Sequence, residues 1–436
     1  MKIKVHHYLI DFIVGFFLLL IVSLYAFTRL GVTDQLSAIV SIGVVCIGSG
    51  LVYLGFFSTI PKRSAGICYL GYLLRCICMM VDLYGRDYIM ALHSGDDADT
   101  FAAHASGLYN GTLTGSVSTK YPYVINWMYH VTGENRLLVQ YANVILWVLS
   151  AGILARICKR FCVKVNVEIF ILTIWAVLPM GILLSSILMR ESAEMFFCMW
   201  SFERFVLWMQ EGKIRYCMEA FCYVLPSIIL HSASVALWMT YAVVLLIWDT
   251  RLQRFRIQQK TWMMFFVMVF AGSIGLVLFR ATEAWIFLFG KLGGDFSWYG
   301  ISHRVFSQGG SDYLADMDCQ SWMQFVPYTI VRMFYFLFSP LPTDARGVMD
   351  LMAFLADGLP LAIIICYTLI RIKRQKEIRG YAVTAILGGL FFVAIFAWGV
   401  RNAGTAIRHR YLAWSIFIIA FALCFGNRRQ NEMEAS

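Results

Sequence analysis

The apolar residues of this chain come in runs of about 20, the length an α-helix needs to cross a bilayer. That spacing makes the chain an all-α polytopic integral membrane protein. Runs of this kind are read at 8–28, 36–57, 65–84, 137–156, 168–188, 193–210, 216–230, 233–248, 261–279, 351–370, 380–400 and 411–426, about 12 transmembrane helices in all. Only 14% of the residues are charged against 60% hydrophobic, which excludes an ordinary soluble domain. The first run is too long for the apolar core of a cleavable signal and lacks a small-residue cleavage site.

Basic residues set the orientation, because cytoplasmic loops retain Lys and Arg. Lys2 and Lys4 precede the first run, and Lys62 and Arg63 follow the second. Further clusters are Arg156 to Lys164, Lys213 with Arg215, Arg251 to Lys260, Arg371 to Arg379, and Arg428 with Arg429. All fall on one side when the spans alternate, so both termini are expected in the cytoplasm. The net charge of +10 is then topological, and nucleic acid is not an expected partner. The 12 cysteines lie mostly within apolar runs and form no CxxC pair, so neither a zinc site nor a disulfide framework is expected.

Residues 1–436 read as one transmembrane domain with two long outer segments, 85–136 and 280–350. Segments of that length are usually functional. The apolar stretch Val326–Phe338 carries Arg332 at its middle; a full crossing there would reverse the later basic loop, so a re-entrant or interfacial helix on the outer face is expected.

Unusual polar residues sort to that face. Asp96, Asp97 and Asp99 open the first outer segment, and Lys120 and Tyr121 follow. Gly95 suggests a loop from which both leading carboxylates face one cleft. Phe101, Ala105 and Leu108 then make an apolar stripe for lying on the membrane. A helix-capping role for the aspartates stands beside a catalytic or metal-binding one. Arg190 and Glu191 end the fifth span, either as an anchoring ion pair or with Arg190 binding an anion, and His231 sits at a hairpin apex. Arg401, Arg408, His409 and Arg410 lie between the last two spans, against the positive-inside bias. The arginine fork suits phosphate; headgroup anchoring is the alternative.

These stretches together resemble the bacterial membrane glycosyltransferases of the GT-C type and the related polymerases of O-antigen and exopolysaccharide assembly. The likeness is carried by Gly95-Asp96-Asp97-Ala98-Asp99-Thr100-Phe101 with Lys120-Tyr121-Pro122, by Leu188-Met189-Arg190-Glu191-Ser192 with Leu230-His231-Ser232, by Leu337-Phe338-Ser339-Pro340-Leu341-Pro342, and by Gly404 to Tyr411. Three spans precede the acidic stretch and no large C-terminal soluble domain follows, which moves the likeness toward the polymerase-like branch.

The resemblance implies transfer of a sugar or repeat unit from a polyprenyl phosphate or diphosphate carrier to a glycan hydroxyl. The active site would lie on the outer face of the bacterial cell membrane, alongside other polysaccharide assembly proteins. Asp96 or Asp97 would be the general base, or a ligand for Mg or Mn. Arg190, Arg408 and Arg410 would hold the leaving phosphate, with His231 and His409 assisting. The competing expectations are a transporter or flippase of lipid-linked oligosaccharide, an acyltransferase and a scaffold.

Overall fold

A computed structural model describes residues 35–86, 95–113, 119–257, 321–375 and 378–427 continuously, with scattered positions elsewhere. The expected spans at 8–28 and 261–279, and most of the second outer segment, lie largely outside the described residues.

The described chain is mainly helical. In order come α1 (Gln35–Thr59), α2 (Lys62–Tyr84), α3 (Asp96–Tyr109), α4 (Tyr121–Thr132), α5 (Arg136–Arg160), α6 (Val165–Val177) and α7 (Pro179–Ser186). Then follow α8 (Glu191–Glu211), α9 (Ile214–Tyr223), α10 (Leu225–Leu230), α11 (Val235–Ile247), α12 (Trp322–Phe338), α13 (Val348–Ile372), α14 (Arg379–Gly399) and α15 (Ala403–Leu423). A two-stranded antiparallel ribbon, β1 (Trp248–Asp249) with β2 (Arg254–Phe255), follows α11.

Six of these helices are long and apolar enough to cross a membrane, or seven if the bent pair α6–α7 is one span. The fold is therefore that of an all-α, multi-pass membrane protein, and the expected count of about 12 is not reached among the described residues. Apart from the two spans outside the described residues, the difference has local reasons. Helix α8 carries Glu191, Glu194, Glu203, Arg204 and Glu211, too much charge for a simple apolar span. The pair expected at 216–230 and 233–248 is broken into α9, α10 and α11, where Pro226 opens a separate short helix.

The chain packs as two compact units. One comprises residues 1–159 and 164–196, the other 160–163 and 197–436. In the first, α2 packs against α1, α6 and α7, while α3 packs against α4. The bend of 53° between α6 and α7 follows from Pro179, which has no N–H for the Trp175 carbonyl one turn back. Arg75, fully buried at mid-α2, supplies the missing donors. Its guanidinium donates to the carbonyls of Ala176 at 2.8 Å, Trp175 at 3.5 Å and Gly71 at 2.8 Å, and its Nε to Ser185 at 2.8 Å. The Trp147 ring lies 3.6 Å beneath it. A buried cation thus closes the open end of a broken helix.

In the second unit α14 packs against α11, α12 and α15, and α13 against α15. Gly389 permits the close approach of α14 and α15: a Cβ there would meet the Phe417 ring at 2.8 Å. Helix α13 widens into a π turn at Phe354–Gly358, just before Pro360 withholds its N–H from the preceding turn. Helix α15 begins at Asn402, whose side chain accepts from the N–H groups of Gly404 and Thr405. That cap starts the last helix eight residues before the expected 411. Arg408, His409 and Arg410 consequently stand on its first turns and not in a loop.

Candidate functional site

The first unit holds the acidic motif. Gly95 is extended (φ −70°, ψ 179°), and the three aspartates fall in the first turn of α3, where carboxylates complement the helix dipole. The Gly-led loop expected to hold Asp96 and Asp97 is therefore the start of a helix. Neighbouring positions on it point about 100° apart, and the motif is divided by function. Asp97 is exposed. Asp99 is claimed by two arginines, Arg86 at 2.9 Å and Arg136 at 2.8 Å. The Asp96 side chain lies outside the described residues.

Asp99 belongs to a closed box of charge. Arg86 also reaches Asp82 (3.2 Å), and Arg136 reaches the other oxygen of Asp82 (3.7 Å). Gln140 donates to Asp82 at 2.6 Å. Asp82 is fully buried at the end of α2. The box therefore ties together the end of α2, the start of α3 and the start of α5. Partial burial alone would raise the Asp99 carboxyl, but the hydrogen bonds and charges of Arg86 and Arg136 outweigh it and hold the group below the usual carboxylate range.

Arg136, Gln140, Asn143, Trp147 and Ser150 recur at i, i+4, i+7, i+11 and i+14, one face of α5. Below the box, Asn143 donates to the carbonyls of Ile187 (3.0 Å) and Met189 (2.8 Å), pinning the turn between α7 and α8. It also meets the Tyr121 hydroxyl at 3.3 Å. Burial pushes the Tyr121 phenol up, opposed by Asn143 and reinforced by the nearby carboxylates of Glu191 and Glu194. Arg190 pairs with Glu194 at 3.0 Å, and Glu191 is buried. Tyr121, Arg190 and Glu191 are thus brought into one neighbourhood, and Lys120 sits half-buried at the start of α4. The stripe of Phe101 and Ala105 is buried, with Phe101 edge-on to Tyr121, so it serves packing of α3 on α4 where membrane contact was expected.

The second unit holds the cationic motif. His231 stacks on Phe396 (4.6 Å between centroids) and meets His409 edge-on at 5.0 Å. Its Nδ1 accepts from the Ala233 N–H, so in the neutral ring the proton resides on Nε2. Arg410 is fully buried. It donates to Asp357 at 2.7 Å, to the Phe336 carbonyl at 3.1 Å and to the Ser339 carbonyl. Trp414 donates to the second Asp357 oxygen at 2.6 Å. The π turn of α13 presents Asp357 to both.

Tyr313 joins further cations to this group. Its N–H donates to the Arg401 carbonyl at 2.8 Å and its hydroxyl to the Val400 carbonyl at 3.2 Å. Burial raises the Tyr313 phenol, while the charges of Arg410 and Arg332 act against that rise. Arg332, fully buried at the middle of α12, donates to the Met317 carbonyl at 2.7 Å and lies 4.6 Å over the Trp398 ring. Arg401 is buried and Arg408 half-buried.

Of the sequence-predicted residues, Asp97, Asp99, Lys120, Tyr121, Arg190 and Glu191 belong to the first unit, and His231, Arg401, Arg408, His409 and Arg410 to the second. Sequence reasoning passed over Asp82, Arg86, Arg136, Gln140, Asn143, Asp357 and Tyr313. Two signals were available. One is an ionisable residue inside an apolar run, as at Asp82 and Asp357. The other is the polar stripe of α5. Among the described residues no three His, Cys, Asp or Glu side chains gather as a cage for a cation. Asp99 is already engaged by two arginines, Arg86 and Arg136.

No family model matches the chain, and no match was found among curated proteins or solved structures.

Proposed function

We propose that this protein is a membrane glycosyltransferase of surface polysaccharide assembly. It transfers a sugar or repeat unit from a polyprenyl phosphate or diphosphate to a glycan hydroxyl, in the manner of a polymerase. One observation carries the reading: the second unit buries Arg332 and Arg410, whose charges both act on Tyr313, and Arg401, whose backbone carbonyl accepts from the Tyr313 N–H, and it brings His231 edge-on to His409. Burying cations among apolar helices is costly. A phosphate on a lipid anchor is the ligand that returns such a cost, because the guanidinium fork binds its oxygens bidentately.

The roles are assigned within each unit separately. Arg410, committed to Asp357 and two carbonyls, positions α15. Arg401 and Arg408 hold the phosphate, and the charge that develops on it is stabilised there. In the first unit, Asp97, exposed on α3, is the carboxylate assigned to the proton that the acceptor hydroxyl loses as its oxygen attacks the anomeric carbon. The bond from that carbon to the phosphate oxygen breaks, and its electron pair leaves with the phosphate. His409 and His231 supply a proton to, or hydrogen-bond, the departing group.

Transport of a lipid-linked oligosaccharide is the second reading, because α6–α7 is a broken apolar helix of the kind transporters use for binding. Against it, Arg75 already occupies the carbonyls that the break exposes. The test is the surface glycan of the host cell after Asp97→Asn, with protein level and membrane insertion verified. Glycan that shortens to single units or vanishes supports transfer; unchanged glycan overturns it.

A further inference from the structure

An open cavity of about 410 Å³ lies in the first unit, lined by Ala102, Ala103, Ser106, Tyr129, Glu134 and Arg136. Its construction is local. Gly133 takes a left-handed conformation (φ +75°) and ends α4, and the turn carries Glu134 and Arg136 to the cavity rim. Asn135 between them starts α5, its side chain accepting from the Leu138 N–H. The small side chains of Ala102 and Ala103 on α3 leave the floor open.

Glu134 is held in place: Ser106 Oγ donates to one carboxylate oxygen at 2.5 Å and Asn110 Nδ2 to the other at 3.2 Å. Each oxygen retains room for another donor. Tyr129 lies beside both charges: the Glu134 carboxylate adds to the rise that burial gives its phenol, and Arg136 opposes it.

The charge balance selects the ligand. Arg136 and Arg86 are matched by Asp82 and Asp99, so the box is neutral as a whole. Glu134 then makes the cavity slightly negative, which repels phosphate. A neutral ligand rich in hydroxyls meets the opposite reception: a fixed carboxylate accepts from paired hydroxyls, and the guanidinium edge and the Ser106 hydroxyl offer polar contacts across a small-residue floor. The volume falls within the range of small-molecule sites. From this geometry we infer that the Glu134–Arg136 cavity is a neutral-sugar subsite, which holds the terminal ring of the acceptor glycan by hydrogen bonds from its hydroxyls to Glu134. This rests on the transferase reading for its role, and on the cavity alone for its ligand.

The experiment uses the full-length protein in lipid nanodiscs. Saturation-transfer NMR with a panel of neutral methyl glycosides reports binding, and inorganic phosphate serves as competitor. Two variants are compared: Glu134→Gln, and Ala103→Trp, which fills the cavity from an exposed position on α3. At least one glycoside is expected to bind wild type, about tenfold or more weakly to Glu134→Gln, as loss of one charge-assisted hydrogen bond implies. It should not bind Ala103→Trp, and phosphate should not displace it. The inference is overturned if no glycoside binds wild type, if binding survives Ala103→Trp, or if phosphate competes. Transfer from a lipid-linked donor is assayed in parallel. Binding without transfer keeps the subsite and removes the transferase reading, whereas transfer with no glycoside at this cavity does the reverse.

Discussion

The Asp357–Arg410 pair makes the sharpest energetic prediction. Both side chains are essentially buried, at 5% and 0% exposure, so solvent does not screen them. Asp357 accepts from Arg410 at 2.7 Å and from Trp414 at 2.6 Å. Asp357→Leu removes the carboxylate and leaves the guanidinium charged and uncompensated; breaking a buried pair in this way costs about 3–5 kcal/mol. Arg410→Met strands the carboxylate by the same amount. It also frees the carbonyls of Phe336 and Ser339, for about 1–3 kcal/mol more each. The double variant strands no charge and leaves only neutral groups unpaired, the two carbonyls and the Trp414 N–H, at about 1–3 kcal/mol each. Its loss should be smaller than the sum of the two single losses, by an interaction energy of about 3 kcal/mol or more, because each single variant strands a charge that the double does not. The assay is unfolding by SDS titration in mixed micelles for the four proteins, compared as a double-mutant cycle. Additive losses would refute the claim that this pair locks α13 to α15.

Three further outcomes follow from the same reasoning. Gly389→Ala places a methyl against the buried Phe417 ring and should cost about 1–3 kcal/mol, while Gly388→Ala, facing the flexible end of Leu237 at 3.3 Å, should cost less in the same titration. Arg75→Met should cost about 2–5 kcal/mol by leaving the Trp175 and Ala176 carbonyls without donors, and Arg75→Lys should not rescue it, because one ammonium cannot serve three separated acceptors. Asp99 has a folded pKa below its unfolded value near 3.9, so its contribution is fully present above that value and is lost as pH falls through the folded pKa. Stability measured from pH 7 to pH 3 should therefore fall in wild type relative to Asp99→Asn only below about pH 4, and a constant difference throughout would contradict the charge box.

Much of this architecture is written in the chain at the level of elements. The apolar runs at 36–57, 65–84, 137–156, 351–370 and 380–400 match α1, α2, α5, α13 and α14 closely, because bilayer thickness fixes run length more firmly than any local propensity. Where the structure differs from the reading, a few polar or proline residues account for it. Asn402 capped a helix eight residues early and drew Arg410 out of a supposed loop into the core. Pro179 bends by 53° the stretch expected as one span at 168–188, and α8 carries five charged residues.

The candidate site was legible only in part. Three aspartates within four residues announce themselves, yet nothing local marks Asp99 as the one held by Arg86, before α3, and Arg136, after it. That distinction depends on partners 13 and 37 residues away. His231 and His409 likewise give no sequence sign that they meet, since α10 and α15 are joined only by tertiary packing.

The central claim is that this chain forms a glycosidic bond at the expense of a lipid phosphate. Its most direct test is a reconstituted reaction: wild type and Asp97→Asn in liposomes, supplied with a polyprenyl-diphosphate-linked glycan, with lipid and glycan products resolved by mass. Wild type should yield a longer lipid-linked glycan together with released polyprenyl diphosphate, and Asp97→Asn neither. A wild type that moves the glycan across the bilayer without joining it to another, or an Asp97→Asn protein that transfers at the wild-type rate, would contradict it.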